Sequence, residues 1–139
     1  MKNLKLDIGC GGQKKTGFIG VDILRLEGVD IVHDLTTFPY PFEDNSVDEI
    51  YMDNVLEHLP NPIKVIEEIW RISKPGTTIT VAVPYFRSHY AFIDPTHVNF
   101  FGVNWLLLLS RIMLLKYRLL QIINKLKIYE KQNQIFITN

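Results

Sequence analysis

The sequence predicts an α/β fold, a doubly wound and mostly parallel sheet with helices on its faces. Two observations lead to this prediction. A short apolar strand, residues 4–8, runs directly into a loop with three glycines in four positions. Further along, β-branched runs alternate with a helix that has clear start and stop signals. With 139 residues, 47% hydrophobic and 22% charged, the chain fits a single domain over residues 1–139.

The glycine loop is the clearest sign of a ligand site. Gly9, Gly11 and Gly12 let the backbone adopt positive φ and let a ligand lie against the main chain. In α/β chains, a loop of this kind after the first strand is where a nucleotide-like ligand is held. A tight turn without a ligand is the alternative, although one turn rarely needs three glycines.

Two carboxylates lie at the ends of the next two predicted strands. Residues 17–22 form the second strand and end at Asp22, which can accept two hydrogen bonds from ribose hydroxyls. Residues 29–35 form the third strand, where Asp34 could accept from an adenine amino group. A turn-forming role is the alternative for each. Since only about eight residues separate strands one and two, the helix between them is predicted to be missing or about one turn long.

The second half of the core is predicted to be strand, helix and strand. A fourth strand over residues 47–54 is followed by a turn or short helix. Asn61 as N-cap and Pro62 at the first helical position begin the helix. Lys74-Pro75-Gly76 ends it. The remaining predicted bounds are 55–59 for the short turn, 62–73 for the helix and 77–83 for the fifth strand.

After this cofactor-binding core, residues 1–84, come a candidate substrate loop and a tail. Residues 85–103 interleave aromatic side chains with Arg, His and Asp. Residues 104–126 form a very apolar helical segment with four basic residues, which is too charged for a transmembrane span. Only one further strand is predicted, at 134–138, so the C-terminal end, 104–139, is expected to be atypical.

Charge and cysteine content exclude some classes of protein. Net charge is zero overall, but −5 for residues 1–94 and +5 for residues 95–139. The basic part is expected to meet an acidic surface, its own N-terminal part included. No nucleic-acid partner is expected. The single cysteine, Cys10, excludes an internal disulfide and a Cys-based zinc site, and the lack of a signal peptide favours a cytoplasmic location.

The core carries a series of short motifs, in the order Leu6-Asp7-Ile8-Gly9-Cys10-Gly11, Gly20-Val21-Asp22, Asp34-Leu35, Pro41-Phe42, Asp48-Glu49-Ile50, Val55-Leu56-Glu57-His58-Leu59 and Lys74-Pro75-Gly76. This series resembles the class I (Rossmann-like) S-adenosylmethionine-dependent methyltransferases of the small methyltransferase-domain type. The dinucleotide fingerprint fails, since its third glycine would fall at Lys14. The family normally ends in two further strands, the last one antiparallel. The loop sequences Asp94-Pro95-Thr96-His97 and Phe100-Phe101 are similar to a loop of some members.

This resemblance implies S-adenosylmethionine as cofactor and a direct methyl transfer to an acceptor that the sequence does not identify. If the acceptor must lose a proton, His97 and His89 are candidate bases, with substrate contact or loop structure as the alternative. Asp94 is a candidate to orient a histidine or bind an acceptor amine, or it only shapes a turn before Pro95. The cofactor-binding residues implied are Asp7, Gly9, Cys10, Gly11, Asp22, Ile23, Asp34, Leu35, Asn54 and Val55.

Several alternatives stay open. Glu57 and His58 either line the site or cap the next helix, and a metal site on this pair is excluded for lack of further ligands at a helix-compatible spacing. A truncated, non-catalytic cofactor-binding or interaction module of the same fold is the alternative function. A dehydrogenase is disfavoured because Lys14 stands where the third glycine of the dinucleotide fingerprint would be. The acid Asp22 also comes early, only 13 positions after Gly9. Residues 104–126 are expected to bury their apolar surface on the sheet or in a homodimer, with a peripheral membrane surface as the rival.

Overall fold

The computed structural model describes residues 3–105, 127–131 and 134–138, and it describes side chains for residues 3–105. The described residues form one seven-stranded sheet with the order β3-β2-β1-β4-β5-β7-β6. The five strands of the core are parallel, and β7 is antiparallel to both of its neighbours. The predicted mostly parallel α/β sheet is therefore confirmed. The strands are β1 Lys5–Ile8, β2 Ile19–Asp22, β3 Ile31–Val32, β4 Val47–Asp53, β5 Ser73–Pro84, β6 Lys127–Lys131 and β7 Gln134–Thr138.

The connection between β1 and β2 contains turns and no helix, as predicted. The carboxylate of Asp7 accepts a hydrogen bond from the backbone N–H of Lys15 (2.7 Å), which fixes the end of the connection. The ammonium of Lys15 lies 4.9 Å from the ring centroid of Phe18 and 4.2 Å from that of Tyr51. The long Lys15 side chain thus lies over aromatic rings beside β1, where a crossover helix would otherwise pack.

Helix α1 covers Pro62–Ile72 and begins as the sequence predicts. The side chain of Asn61 accepts from the backbone N–H of Lys64 (3.2 Å), so Asn61 is the N-cap. The helix ends one residue before the predicted bound, because β5 starts at once at Ser73. Its buried residues recur every three or four positions and form one face against the sheet. They are Pro62, Val65, Ile69 and Ile72.

Strand β5 is longer than the predicted 77–83. The stop signal Lys74-Pro75-Gly76 lies inside it, at a register shift where β5 pairs with β4. The Thr77 hydroxyl donates to the Val47 carbonyl (2.7 Å) across this irregularity. Local sequence marked the helix end correctly, whereas pairing with β4 extends the strand through the glycine and proline.

The C-terminal end has two strands rather than the single predicted one, so that prediction was wrong. Strand β7 pairs with β5 from Thr138 opposite Thr80 to Gln134 opposite Pro84, and β6 pairs with β7. Strand β6 was missed because three of its five residues are charged and it directly follows an apolar helical pattern. The two final strands match the family's usual ending. Residues 106–126, most of the predicted apolar helix, lie outside the described residues.

The core lies between the sheet and α1, and Phe101 of the substrate loop is part of it. Phe101 is completely buried, and its ring packs edge-on against Trp105 with a centroid distance of 4.6 Å. The backbone N–H of Phe86 donates to the carbonyl of Phe101 (2.9 Å). The two ends of the loop are therefore held together and to the core. Among the described residues, no helix is long and apolar enough to cross a membrane.

Candidate active site

A cavity of about 280 Å³ lies at the C-terminal ends of β1, β2 and β4, the edge at which α/β folds bind ligands. We name it the cofactor cavity. Seven of the ten predicted cofactor-binding residues line it, and the lining also includes Thr36, His58 and Leu59. The predicted residues that line it are Gly9, Asp22, Ile23, Asp34, Leu35, Asn54 and Val55.

Asp22 is tied to the glycine loop by hydrogen bonds. One carboxylate oxygen accepts from the backbone N–H of Gly11 (2.8 Å), and the other accepts from that of Leu24 (3.0 Å). A carboxylate has about four lone-pair positions, so two remain for a ligand. The loop therefore orients the Asp22 carboxylate while leaving it able to accept from a diol.

Three predicted cofactor residues, Asp7, Cys10 and Gly11, are not among the residues that line the cavity. Asp7 is 5% exposed and bonds to Lys15, and burial raises the pKa of its carboxyl group. Burial also raises the pKa of the Cys10 thiol, which donates to the Gly11 carbonyl (3.4 Å). These residues support the shape of the loop, and Gly11 holds Asp22.

A second cavity, of about 430 Å³, adjoins the first. We name it the acceptor cavity. Asn54 and His58 line both cavities, so the two are contiguous. Asn54 lies at the turn after β4, with a positive φ of 53°, and its backbone N–H donates to Ala82 (3.0 Å). The lining of the acceptor cavity is Asn54, Glu57, His58, Pro84, Tyr90, Ile93, Asp94 and His97.

The substrate loop closes this second cavity by bonding to the short 3₁₀ turn Leu56–His58. The backbone N–H groups of Val98 and Asn99 both donate to the Glu57 carbonyl (2.9 and 3.1 Å). The Asn99 side chain donates to the carbonyl of Leu59 (2.7 Å). These bonds bring the loop over the end of β4.

Of the three predicted catalytic residues, two reach the acceptor cavity. His97 and Asp94 line it, whereas His89 is exposed and not part of its lining; its ring lies against Tyr90 with a centroid distance of 4.0 Å. Asp94 accepts from both the backbone N–H and the hydroxyl of Thr96 (2.8 and 2.6 Å), and these bonds lower the pKa of its carboxyl group. The hydrogen-bonded link from Asp94 to a histidine therefore runs through the Thr96 hydroxyl, which also lies 2.9 Å from Nδ1 of His58.

Glu57, His58 and His97 form a cluster whose potential ligand atoms all lie within 4.8 Å of one another. Glu57 is 1% exposed, and neither carboxylate oxygen has a hydrogen-bond partner among the described residues. Burial raises the pKa of Glu57 to about 7. The expected alternative of helix capping is not what these residues do, since Asn61 caps α1. The exclusion of a metal site rested on missing ligands, and His97 now supplies one.

The pairing of Glu57 with His97 is the feature of the site that sequence reasoning missed. The two residues are about 40 positions apart, and the loop reaches Glu57 through backbone hydrogen bonds that no side-chain pattern reveals. The only available signal was that both belong to motifs, Val55-Leu56-Glu57-His58-Leu59 and Asp94-Pro95-Thr96-His97, that carry polar, ligating side chains.

Comparison with known proteins gives a family match. Residues 24–81 match the methyltransferase-domain family. Cycloartenol-C-24-methyltransferase 1 of rice (Oryza sativa subsp. japonica) is 31% identical over 81 residues, which cover 56% of this chain and 24% of that protein. The chain thus spans about a quarter of the length of this curated relative.

Solved structures share the fold over almost the whole chain. A SAM-dependent methyltransferase from Archaeoglobus fulgidus has a TM-score of 0.67 at 18% identity, with 99% of this chain and 86% of that chain covered. A chain of the complex between the Haloferax volcanii Trm112 methyltransferase activator and a methyltransferase has a TM-score of 0.66 at 15% identity, with 99% and 81% covered. At these identities the likeness is one of fold.

The strand order, the position of the cofactor cavity and the family match agree with the resemblance found in the sequence. S-adenosylmethionine, the expected cofactor, is also the one named for the Archaeoglobus neighbour. The resemblance is thereby confirmed in two respects: residues 24–81 match a methyltransferase domain, and the fold is the one seen in solved S-adenosylmethionine-dependent methyltransferases.

Proposed function

We propose that this protein transfers the methyl group of S-adenosylmethionine to an acceptor bound in the acceptor cavity. The observation that supports this most directly is the pair of contiguous cavities, which share Asn54 and His58. One has the residues expected around a nucleoside, and the other has polar and aromatic side chains suited to a second substrate. A cofactor-binding module without catalysis would need only the first cavity.

In this reaction a lone pair of the acceptor forms a bond to the methyl carbon, and the bond from that carbon to sulfur breaks. The electron pair goes to sulfur, and S-adenosylhomocysteine leaves as a neutral thioether. The protein contributes alignment, because holding two reactants together supplies much of the rate. Asp22 and Asp34 at the cofactor cavity give it acidic side chains, which suits a cationic sulfonium ligand.

His97 is the residue we assign to the acceptor side. Its Nδ1 lies 2.9 Å from the carbonyl oxygen of Ala91, and since a carbonyl only accepts, Nδ1 donates. The Nε2 atom then carries a lone pair, which is what a proton acceptor or a ligand requires. His89 is exposed outside the lining of the cavity and is the weaker candidate for a base.

The acceptor itself is described only by the cavity. Tyr90, Ile93 and Pro84 give it an apolar side, while Asp94 and the histidines give it a polar one. Small metabolites and parts of larger molecules both fit this description. In the Haloferax volcanii neighbour a methyltransferase activator is bound, so a protein partner is a reasonable arrangement here too. A homodimer through residues 104–126 and a cytoplasmic location are the further proposals from the sequence.

Ligand binding tests the cofactor assignment. We expect S-adenosylhomocysteine to raise the melting temperature and NAD to leave it unchanged, because a ligand that binds only the folded state stabilises it. Asp22→Ala should weaken S-adenosylhomocysteine binding by about 1.5–3 kcal/mol, the range for hydrogen bonds to a charged group. Isothermal titration calorimetry measures this difference.

The matched control is Asp30→Ala, an exposed carboxylate outside the lining of the cavity that bonds Lys14 and the Gly20 backbone. Its affinity should equal that of the wild type. Equal affinity in the Asp22 variant would remove Asp22 from the site, and no melting shift with saturating ligand would reject the proposed function. Binding without methyl transfer to any acceptor tried would favour the non-catalytic module.

A further inference from the structure

We infer that Glu57, His58 and His97 form a binding site for one divalent transition-metal ion, in the first instance Zn²⁺, with an open coordination position facing the acceptor cavity. The residues supply one carboxylate and two imidazoles. Two histidines and a glutamate are a common ligand set for zinc ions that retain an open position, and two histidines with a carboxylate also suit non-haem iron.

The geometry of the three side chains is close to that of a metal site. Their ligand atoms lie within 4.8 Å of one another, and the Nε2 of His97 is 4.0 Å from Oε1 of Glu57. Zinc bonds of about 2.0–2.2 Å place tetrahedral ligands roughly 3.3–3.6 Å apart. Side-chain shifts of the order of 1 Å therefore bring all three to bonding distance.

Both imidazoles are oriented by a second bond, as metal-bound histidines usually are. Nδ1 of His97 donates to the Ala91 carbonyl, which leaves Nε2 towards Glu57. Nδ1 of His58 lies 2.9 Å from the Thr96 hydroxyl, and that hydroxyl donates to Asp94 (2.6 Å). Since the Thr96 hydrogen goes to Asp94, Nδ1 of His58 donates and its Nε2 is left as an acceptor. Asp94, Thr96 and His58 thus resemble the carboxylate-linked histidines of metal sites.

The buried carboxylate of Glu57 is an independent indication of a cation. Glu57 is 1% exposed, and its two oxygens have no hydrogen-bond partner within the described part of the chain. Burial without a partner disfavours the charged form of a carboxylate, and a bound metal ion is a ligand that favours that form. A direct bond to His97 does not, because 4.0 Å is too long for a hydrogen bond.

The site has a consequence for the acceptor, which rests on the proposed function. Three protein ligands leave at least one position for another donor, and the cluster lines the acceptor cavity. A metal ion there favours an acceptor with a hydroxyl or carboxylate oxygen, since it binds and polarises such oxygens. In this arrangement Nε2 of His97 is a metal ligand and takes up no proton; a hydroxyl acceptor, acidified on the metal, would lose its proton to solvent, and a carboxylate has none to lose.

Metal binding is tested with Zn²⁺ alone, by titration calorimetry against a competing chelator and by the melting temperature. We expect one Zn²⁺ per chain and a raised melting temperature. Outer-shell changes alone cost about 10–100-fold in affinity, so His58→Ala, His97→Ala and Glu57→Gln should each weaken binding by at least about 100-fold. Thr96→Val, which breaks the link from Asp94 to His58, should weaken it by about tenfold.

His89→Ala is the matched control, because His89 is an exposed histidine of the same loop outside the cluster. Its Zn²⁺ affinity should equal that of the wild type. Glu57→Gln is the variant least expected to misfold, because glutamine has nearly the shape of glutamate and the Glu57 carboxylate has no hydrogen-bond partner in the described part of the chain. Its melting temperature without metal should not fall below that of the wild type. The absence of one-to-one binding, or equal binding by wild type and His97→Ala, would overturn the metal site.

S-adenosylhomocysteine titration of the same variants separates this inference from the proposed function. The expected result is that His97→Ala loses Zn²⁺ binding and keeps cofactor binding. If the wild-type protein binds S-adenosylhomocysteine and no Zn²⁺, the metal site is wrong and the methyltransferase proposal stands. If it binds Zn²⁺ and no cofactor, the proposed function fails while the site at Glu57, His58 and His97 holds.

Discussion

Gly9 shows how closely one residue joins the glycine loop to the end of β4. Its φ is +71°, and a β-carbon placed there would lie 2.4 Å from a γ-carbon of Val55. Val55 itself lines the cofactor cavity and is nearly buried. Glycine is therefore required at this position for two separate reasons, backbone conformation and space.

We predict that Gly9→Ala lowers the free energy of unfolding by about 2–5 kcal/mol. The left-handed conformation contributes about 1–2 kcal/mol of this and overpacking against Val55 about 1–3 kcal/mol. Urea denaturation measures the loss, and S-adenosylhomocysteine affinity should fall as Val55 is displaced. Gly12→Ala is the control: φ is not in the left-handed region and the space around it is open. It should change stability by less than about 0.5 kcal/mol.

Substitution of His97 separates the acceptor side of the site from the cofactor side. His97 lines the acceptor cavity and is not among the residues that line the cofactor cavity. Once an acceptor is known, His97→Ala should lower turnover by at least about 10–100-fold, since even outer-shell changes at a metal site cost that much activity, and it should leave cofactor affinity nearly unchanged. Steady-state kinetics and cofactor titration measure the two effects. Equal loss of both would assign His97 to cofactor binding or folding.

At the scale of elements, Arg71 on α1 holds the loop between β3 and β4. Its guanidinium donates to the carbonyls of Tyr40 and Phe42 (3.1 and 2.9 Å) and to the carboxylates of Glu68 and Asp44 (2.8 and 2.6 Å). Glu68 in turn accepts from the backbone N–H of Tyr40 (2.9 Å). A planar group with five donors can satisfy four partners at once, and a lysine cannot.

We predict that Arg71→Ala lowers the free energy of unfolding by about 1.5–3 kcal/mol, as expected for a partly exposed charged group that loses several hydrogen bonds. Arg71→Lys should recover less than half of this, because the single ammonium reaches fewer acceptors. Lys64→Ala, an exposed change on the same helix, should cost less than about 1 kcal/mol. Chemical denaturation of the three variants measures these losses in the free energy of unfolding. Full recovery of stability in Arg71→Lys would show that the positive charge alone, and not the set of hydrogen bonds, stabilises the loop.

At the scale of the molecule, β7 pairs with β5 and so continues the sheet beyond the parallel core. Because β5 pairs with β4 on one side and with β7 on the other, it has no open edge to which a strand of another chain could add. Charge is distributed unevenly along the chain, −5 over residues 1–94 and +5 over residues 95–139. The apolar, basic segment 104–126 has three possible partners from the sequence: the sheet, a second copy of the chain or a membrane surface.

We predict that the protein is a monomer or dimer by light scattering and does not sediment with anionic vesicles. The reason is that the sequence predicts a helix over residues 104–126 with apolar residues on nearly all sides. Such residues need burial, each Leu or Ile being worth about 1.5–3 kcal/mol, and protein surfaces provide it. Neutral vesicles are the control for non-specific pelleting. Sedimentation with anionic vesicles that salt reverses would contradict this prediction and favour a peripheral membrane contact.

The sequence by itself determined most of the residues that surround the cavity we assign to the cofactor. Gly9, Asp22 and Asp34 follow directly on strand patterns, and in a parallel sheet the ends of successive strands meet at one edge. Residues that follow successive strands in the sequence are therefore close in space, and seven of the ten predicted residues line one cavity. The missing first helix could also be predicted, since the number of residues between β1 and β2 is a local quantity.

Only the tertiary structure decided the acceptor side. Whether His97 or His89 reaches the site depends on how residues 85–103 fold back, and backbone bonds from Val98 and Asn99 to Glu57 settle it. Strand β6 likewise depends on pairing with β7 rather than on its own charged sequence. Contacts between distant segments leave no periodic pattern in the chain, because they are made by backbone groups that every residue shares.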